Sequence, residues 1–532
     1  MKKLVALVTF LMPAMLFAQG KGMDQKIDEV FGKATGWFVD LIFYSIPFTE
    51  DIKIPWVLIV LVFGALYFTL YFKLINFRGF FTAINIVRGK YDDFESDGHV
   101  EVSETVSTVD GDNPDTVRIE GEHEGEVSHF QALTAALSAT VGLGNIAGVA
   151  VAISIGGPGA TFWMIIAGLI GMASKFAECT LGVKYREIDE TGKVYGGPMY
   201  YLTKGFKEKG WGGIGKVLAV IFAIMCIGGS FGGGNMFQSH EAFAMLESIT
   251  GGEQSMLHGY GAVFGLVMAV LVGIVIIGGI QKIAKVTDKI VPFMVVIYVV
   301  AALAILGVNY TEIPRAFGEI FSGAFTGLGI AGGVFGVLIQ GFRRAAFSNE
   351  AGIGSASIAH SAVKTKYAAS EGLVALLEPF IDTVLVCTMT ALVLVITNGN
   401  GDIMTYGQGF SEGGVTITSK AFASTFSWFP YVLTGAVILF AFSTMISWSY
   451  YGYQAWSFLF GRSKRVEYAY KAIFCGFVIV GAAAQLDSVV GFSDAMIFAM
   501  LVPNMIGLFI LAPRVREELK RFMDKVKTSK EK

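Results

Sequence analysis

Two short stretches rich in glycine and small polar residues interrupt apolar segments of this sequence, and both could bind a ligand through exposed backbone. The first includes Gly142, Gly144 and Asn145, and the second includes Gly352 and Gly354. Glycine weakens a helix by about 1 kcal/mol relative to alanine. Irregular backbone at membrane depth persists only where neighbouring protein groups or a water-filled cavity provide partners for its N–H and C=O groups. Freed amides at such a break can bind an anionic group, and freed carbonyls can bind a cation.

A simpler interpretation of the first stretch is that small residues let neighbouring helices pack closely. On that stretch alone, close packing and a ligand site are equally well supported. The second stretch favours a site, because Gly144 and Gly354 stand 210 positions apart in comparable apolar surroundings. Two glycine-interrupted hydrophobic segments at matching places in two halves indicate a transporter built from inverted repeats.

The composition is that of a helical membrane protein that crosses the bilayer many times. Of the 532 residues, 54% are hydrophobic and only 16% are charged, and the mean hydropathy is +0.60. Many apolar runs of about 20 residues predict membrane spans, with the lipid bilayer as the surroundings. The net charge of −3 gives no indication of a nucleic-acid partner.

The chain divides into membrane repeats and flanking segments. Residues 1–18 resemble a signal peptide, because Met1-Lys2-Lys3 precedes an apolar run; Leu16 at the −3 position suits cleavage poorly, so an uncleaved anchor is the alternative. Residues 92–128 hold thirteen acidic residues and one basic residue, Arg118, which predicts a solvated insertion. The other predicted segments are an extracytoplasmic segment at 19–53, an extra transmembrane helix at 54–77, a cytoplasmic linker with the acidic insertion at 78–130, a first five-helix repeat at 131–307, an external loop at 308–326, a second five-helix repeat at 327–511 and a cytoplasmic basic tail at 512–532.

Lysine and arginine alternate between the loops on the two sides of the predicted membrane. The loops predicted to lie outside, 308–326 and 398–428, contain only Arg315 and Lys420. The loops predicted to lie inside carry Lys184, Arg186, Lys204, Lys207, Lys209, Lys282, Lys285, Lys364, Lys366, Arg462, Lys464 and Arg465. Positive charge favours the cytoplasmic side, so we expect about eleven transmembrane helices in a bacterial inner (plasma) membrane, with a cytoplasmic C-terminus.

Four motifs together resemble the alanine/glycine:cation symporter family, also called the sodium:alanine symporter family. They are TVGLGNIAGVA at 140–150, YGGPMYYL at 195–202, FSNEAGIGSA at 347–356 and FSTMISWSYYG at 442–452. The likeness extends over nearly all of 54–511, and four long motifs in this order make it specific. The first motif also resembles the first helix of the bacterial leucine transporter.

The resemblance implies an all-α polytopic fold with leucine-transporter-like 5+5 inverted repeats, preceded by one extra span. It implies sodium-coupled symport of alanine or glycine by alternating access, with Na+ as the coupling ion. The substrate-binding residues that it implies are Gly142, Leu143, Gly144, Asn145, Gln238, Phe347, Asn349, Gly352, Thr444 and Trp448. The sodium ligands that it implies are Thr140, Val141, Asn145, Ser348, Ser443 and Thr444.

These assignments follow the chemistry of a zwitterion. The substrate carboxylate fits the amide-rich end of a half-helix around Leu143–Asn145, and the ammonium fits carbonyls around Phe347–Ala351. Gln238 would contact substrate, although helix–helix hydrogen bonding explains it equally well. Trp448 would wall a small side chain, although ordinary packing is the simpler alternative. Leu143 departs from the family pattern, in which threonine is usual.

Charged residues inside predicted spans are functional candidates. They are Lys175, Glu178, Arg343, Arg344, Glu350, Glu378 and Asp382. Arg343 and Glu350 are seven residues apart, so we expect them to face one another across the second break as an ion pair or gate.

Several alternatives remain open at this stage. Proton coupling or another small solute would suit the same fold. An intramembrane enzyme is far less well supported, since no nucleophile–base pair or metal-ligand set stands out. A channel is also less well supported, because the sequence lacks the ring of charged residues that selects ions in many channels. The sequence leaves open alanine against glycine, the stoichiometry and the oligomeric state.

Overall fold

The computed structural model describes residues 35–530 except 50–51, 96–124, 191, 328–331, 400, 408–412 and 485. The predicted signal peptide and most of the acidic insertion therefore lie outside the described residues. Within them the protein is helical, apart from two short hairpins. Strand β1 (Ser45–Pro47) pairs antiparallel with β2 (Lys53–Pro55), and β3 (Glu187–Ile188) pairs antiparallel with β4 (Val194–Tyr195).

A short N-terminal region precedes the repeats. Residues 35–42 are helical, and β2 leads directly into the apolar helix Trp56–Tyr71. The helices that follow are Ile75–Arg78, Phe80–Val87 and Asp92–Glu95, and we call the last of these the linker helix. Thr69 Oγ1 and Asn76 Nδ2 donate to the carbonyls of Ile170 and Leu169 at 3.1 and 3.0 Å, so this region is anchored to the helix Gly159–Lys184.

We name the helices of the predicted repeats core helix one to core helix ten in chain order. In the first half they are His129–Thr140 with Gly144–Gly156, Gly159–Lys184, Gly212–Ile249, Gly261–Ile276 and Gly279–Val308. In the second half they are Gly333–Asn349 with Ala356–His360, Ala368–Thr397, Phe429–Phe460, Lys464–Ala483 and Leu486–Lys530.

By length and composition, seven helices among the described residues could each cross a membrane, and the bent pair of core helix one makes eight. Two shorter apolar helices, Trp56–Tyr71 and Gly261–Ile276, fall below that length. The protein is therefore multi-pass, while the count of eleven spans and the 5+5 repeat stay predictions.

Three helices lie where the sequence predicted loops, and the predicted tail is helical as well. Ile313–Thr326 and Gly414–Ala423 are helices within the two loops predicted to be external. The helix Pro198–Glu208 follows β4 and begins with proline. Proline suits the first helical position, because an N–H at that position would have no acceptor within the helix. The basic tail continues core helix ten without interruption as far as Lys530.

Small residues permit the closest helix contacts. A Cβ at Gly341 of core helix six would lie 2.6 Å from the carbonyl oxygen of Ala160 in core helix two. A Cβ at Gly481 of core helix nine would lie 2.4 Å from Met236 Cα in core helix three. No larger residue fits at these distances, so glycine sets the spacing of the helices that surround the two breaks.

Candidate functional site

Core helix one is broken at the first glycine stretch. Its first half ends at Thr140, its second half begins with a π-helical turn at Gly144–Gly148, and the two halves are bent by 52°. Gly142 N donates to Asn145 Oδ1 at 2.9 Å, which caps the turn. A Cβ at Gly142 would lie 2.5 Å from Thr444 Oγ1, so only glycine lets core helix eight approach here.

Core helix six is broken at the second stretch. It stops at Asn349, and Glu350 adopts a left-handed conformation with φ of 55°, which is strained for a residue with a Cβ. Gly352 and Gly354 follow with φ of 84° and 99°. Asn349 Oδ1 accepts from Ala351 N at 2.9 Å and stabilises this turn.

The two breaks meet around a small cavity. A Cβ at Gly144 would lie 3.4 Å from Ser348 Cα, which shows how closely the breaks approach. The residues that line the cavity are Ala139, Thr140, Gly142, Gly144, Gly233, Gln238, Phe347, Glu350, Trp448 and Ile497. Its volume is about 10 Å³, roughly the room that one water molecule needs.

Two hydrogen-bond acceptors face this cavity. Gln238 Nε2 donates to the Gly233 carbonyl at 2.9 Å, and Gln238 Oε1 is buried with no partner among the described residues. The Glu350 carboxylate, 2% exposed, accepts from the indole N–H of Trp448 at 3.1 Å and from the hydroxyl of Ser355. The sequence singled out Gln238 but did not include Glu350 among the substrate contacts.

A second polar cluster lies beside the breaks and is centred on the buried carboxylate of Asp382 in core helix seven. Asn145 Nδ2 donates to Asp382 Oδ1 at 2.6 Å, and Ser348 Oγ donates to Oδ2 at 2.8 Å. Thr383 Oγ1 also donates to Oδ2, at 2.7 Å, and Asn349 Nδ2 donates to Thr383 Oγ1 at 2.9 Å. Among the described residues, Asp382 forms no salt bridge, so this desolvated carboxylate has hydroxyl and amide partners only.

A third cluster joins core helices one and eight. Ser138 Oγ donates to the Ser443 carbonyl at 2.8 Å, and Thr444 Oγ1 donates to the Ser138 carbonyl at 3.0 Å. Ser443 Oγ donates to the Phe440 carbonyl at 3.0 Å, within its own helix. These reciprocal bonds place several hard oxygen atoms at the end of the first half-helix, where Val141 caps it.

Most of the predicted site residues fall into three groups, and Leu143 and Gly352 lie outside them. Gly142, Gly144, Gln238, Phe347, Trp448 and Thr140 line the cavity. Asn145, Ser348 and Asn349 belong to the Asp382 cluster, while Thr444 and Ser443 join helices one and eight. Leu143 is fully buried away from the cavity lining. The Gly352 carbonyl accepts from Asn504 Nδ2 at 2.8 Å and faces core helix ten.

The expected pairing of Arg343 with Glu350 is wrong. Arg343 Nε donates to Asp494 Oδ2 at 3.0 Å, and Arg344 donates to the same oxygen. The helix ends before Glu350, and the left-handed turn directs that carboxylate toward Trp448. The ion pair therefore joins core helix six to core helix ten, and Arg343 Cζ lies 4.2 Å from the ring centroid of Phe43 in the N-terminal region.

Comparison with known proteins assigns this architecture to a family. The model of the sodium:alanine symporter family matches residues 112–532. The chain belongs to this family. The match begins after the extra helix and within the acidic insertion, so the family likeness starts later than the motifs alone suggested. Family membership makes the protein a symporter for amino acids in a membrane and not an enzyme.

Two relatives with sequence identities above 30% agree with this assignment. A protein of Methanococcus maripaludis named sodium/alanine symporter AgcS is 41% identical over 401 residues, which cover 75% of this chain and 85% of that protein. A Bacillus subtilis protein named probable sodium/glutamine symporter GlnT is 33% identical over 408 residues, which cover 76% and 80%. The crystal structure of MhsT with L-phenylalanine shows a distant similarity, with a TM-score of 0.46 and 15% identity over 74% of this chain and 99% of MhsT.

Proposed function

We propose that this protein is a sodium-coupled symporter of small neutral amino acids, alanine or glycine, in a bacterial inner membrane. The observation that carries the proposal is the junction of two broken helices around one small cavity. Family membership and the relative named as a sodium/alanine symporter support this choice of substrate. Alternating access would then expose the cavity first to one side of the membrane and then to the other.

The cavity offers opposite ends to a zwitterion. The substrate carboxylate would bind the first amides of the half-helix that begins at Gly144, because such amides lack intrahelical partners and the helix dipole favours an anion. The ammonium would bind Gln238 Oε1 and the Glu350 carboxylate. Both are acceptors already desolvated in the cavity wall, so an ammonium would donate to the unpaired Gln238 Oε1 and also compensate the charge of the Glu350 carboxylate.

The small volume and aromatic walls support a small side chain. Phe347, Trp448 and Ile497 close the cavity on the apolar side, and about 10 Å³ is less room than even alanine needs. Side chains must therefore move when substrate binds. Each additional methylene would demand a larger movement against a packed wall, which disfavours branched substrates.

The Asp382 cluster has the donor chemistry of a sodium site. Sodium is a hard cation, and carboxylate, hydroxyl, amide and carbonyl oxygens are hard ligands. Asp382, Ser348 and Thr383 supply such oxygens, and Asn145 Oδ1 keeps a second lone pair beyond its bond to Gly142 N. A bound cation would also compensate the buried carboxylate. The oxygens of Ser138, Val141, Ser443 and Thr444 would form the second predicted site, between core helices one and eight.

One observation favours a second candidate, proton coupling. A buried carboxylate such as Asp382 can bind a proton in place of sodium, because desolvation disfavours its charged form. The two candidates predict different driving forces. Sodium coupling predicts that a sodium gradient alone drives uptake, whereas proton coupling predicts uptake driven by a pH gradient in sodium-free buffer.

The direct experiment is uptake by purified protein in liposomes. Labelled alanine and labelled glycine should accumulate when external sodium is present and should not when choline replaces it. Competition by unlabelled glutamine, serine and valine then defines the side-chain limit. Uptake that is indifferent to sodium would overturn the proposed coupling, and stronger competition by glutamine than by alanine would overturn the proposed substrate.

A further inference from the structure

A chain of buried ionisable side chains runs from the linker helix toward the break of core helix six, outside the substrate cavity. Its members alternate between acidic and basic. In order they are Glu95, His129, Glu371, His360, Glu378, Lys175 and Glu178. The last contact leads to Asn504, whose Nδ2 donates both to Glu178 Oε2 at 3.0 Å and to the Gly352 carbonyl at 2.8 Å.

His129 stands between two carboxylates. Its Nε2 lies 2.7 Å from Glu95 Oε2, and its Nδ1 is hydrogen-bonded to Glu371 Oε2. An ionised carboxylate only accepts hydrogen bonds, and a neutral imidazole has a single N–H. Both contacts can exist together only if the imidazole carries two protons or one carboxylate carries one. The geometry therefore requires a proton beyond those of neutral histidine and two ionised acids.

The same geometry recurs one step further along the chain. His360 Nδ1 lies 2.5 Å from Glu371 Oε1, and His360 Nε2 lies 3.3 Å from Glu378 Oε2. Lys175 Nζ then contacts Glu378 Oε1 at 3.1 Å. His360, Glu371, Glu378 and Lys175 are all fully buried, so they are shielded from exchange with bulk water. His129 is the basic member of the chain nearest to the surface, with a side chain 11% exposed.

The position of His129 links the chain to movement of core helix one. His129 is the first residue of that helix, while Glu371 belongs to core helix seven and Glu95 ends the linker helix. Glu95 Oε2 also accepts from Thr365 Oγ1 at 2.9 Å and from Ser370 Oγ at 3.2 Å. If the first half of core helix one moves to open a path on this side, His129 must leave both carboxylates.

We propose that Glu95, His129 and Glu371 form a proton-binding site, separate from the substrate cavity, that holds the first half of core helix one closed on the cytoplasmic side. The charged groups that face His129 are Glu95 and Glu371, with His360, Glu378 and Lys175 behind them. Opening transfers one proton from the His129 imidazolium to cytoplasmic water and leaves neutral imidazole. The cytoplasmic location rests on the proposed topology, whereas the site itself requires neither sodium coupling nor a particular substrate.

Low pH therefore favours the state in which the first half of core helix one is closed, and high pH favours the open state. With one proton released on opening, the open fraction rises by at most about tenfold per pH unit. Opening releases the proton only above about pH 6.5, the ordinary pKa of a histidine without such partners, so the measurement runs from about pH 6 to pH 8.5.

The pH dependence of opening can be tested by thiol accessibility in detergent-solubilised, monodisperse protein, which requires no transport assay. The reporter is an Ala132→Cys variant, because Ala132 is fully buried one turn from His129 on the same helix. A Ser427→Cys variant at an exposed position gives the intrinsic pH dependence of the thiol reaction. The four native cysteines are buried, and protein without an added cysteine gives their background. The measured quantity is the ratio of the two modification rates.

With His129 present, this ratio should rise with pH, by up to about tenfold per unit. His129→Lys keeps its charge over this range, so the ratio should stay low at every pH. His129→Gln cannot hold the proton, so the ratio should be high at every pH. His258→Gln, at an exposed histidine paired with Glu247, should behave like the parent. A flat ratio with His129 present, or an unchanged rise in His129→Lys, would overturn the proposal.

Discussion

The indole N–H of Trp448 donates to Glu350 Oε1 at 3.1 Å and thereby joins core helix eight to the break of core helix six. Both side chains line the cavity. A Cβ at Gly234 would lie 2.3 Å from Trp448 Cβ, so the backbone of core helix three packs directly against the tryptophan and restricts its position. The apolar wall and the carboxylate of the proposed substrate site are therefore held in one arrangement.

Replacing Glu350 with glutamine should weaken substrate binding while leaving the fold intact. Glutamine keeps an oxygen that can accept from Trp448 but loses the charge that we assign to the substrate ammonium. A hydrogen bond to a charged group contributes about 1.5–3 kcal/mol, so we expect a loss of affinity of about tenfold to a hundredfold. Equilibrium binding of labelled alanine measures it. Unchanged affinity in well-folded Glu350→Gln would remove Glu350 from the site.

Two substitutions of Trp448 should separate its role as an apolar wall from its hydrogen bond to Glu350. Trp448→Ala removes the wall, so valine and leucine should begin to compete with labelled alanine, because a packed wall costs each extra methylene about 1–3 kcal/mol. Trp448→Phe keeps an aromatic wall but loses the N–H that holds Glu350, so it should weaken alanine binding while still excluding valine. If the competition profile of Trp448→Ala matches that of the parent, Trp448 contributes packing and not selectivity.

Replacing Asp382 with asparagine should raise the sodium concentration needed for alanine binding by at least about tenfold, because a buried carboxylate next to a cation is worth more than 1.4 kcal/mol. The measurement is the sodium dependence of alanine binding at fixed alanine. The matched control is Asp402→Asn, at an exposed position, which should leave this dependence unchanged. Equal sodium dependence in the two variants would place the coupling cation elsewhere.

The proposed topology predicts opposite labelling of two exposed positions. A single cysteine at Ser427, in the loop predicted to be external, should react with an impermeant thiol reagent in intact cells. A single cysteine at Lys464, beside Arg462 and Arg465, should react only after permeabilisation. Both positions are exposed and outside the glycine turns. The reverse pattern would invert the orientation and would place the His129 site on the external side.

Hydropathy and glycine spacing were enough to locate the principal helices and both breaks. Apolar runs predict where spans lie because the bilayer imposes their length, and Gly142, Gly144 and Gly352 indicate where a helix cannot continue. The family resemblance implied that Gln238 and Trp448 contact substrate; both line the cavity, and the substrate contact itself stays a prediction.

The partners of the charged residues could not be predicted in the same way. Arg343 and Asp494 are far apart in sequence, and their contact depends on how core helices six and ten rotate against each other. Asp382 reaches Asn145 and Ser348 from a π-helical segment, Phe380–Cys387, for which the sequence has no clear signal. Glu350 has a positive φ without being glycine, so its direction toward Trp448 could not be inferred from helical periodicity.

Symport at the two breaks requires sodium and a small amino acid to move together through one site. Simultaneous measurement of radioactive sodium and labelled alanine entering the same proteoliposomes tests it most directly. We predict that adding alanine stimulates sodium entry, that removing sodium abolishes alanine accumulation, and that Asp382→Asn loses both effects together. Alanine accumulation without alanine-dependent sodium entry would exclude sodium symport by this protein.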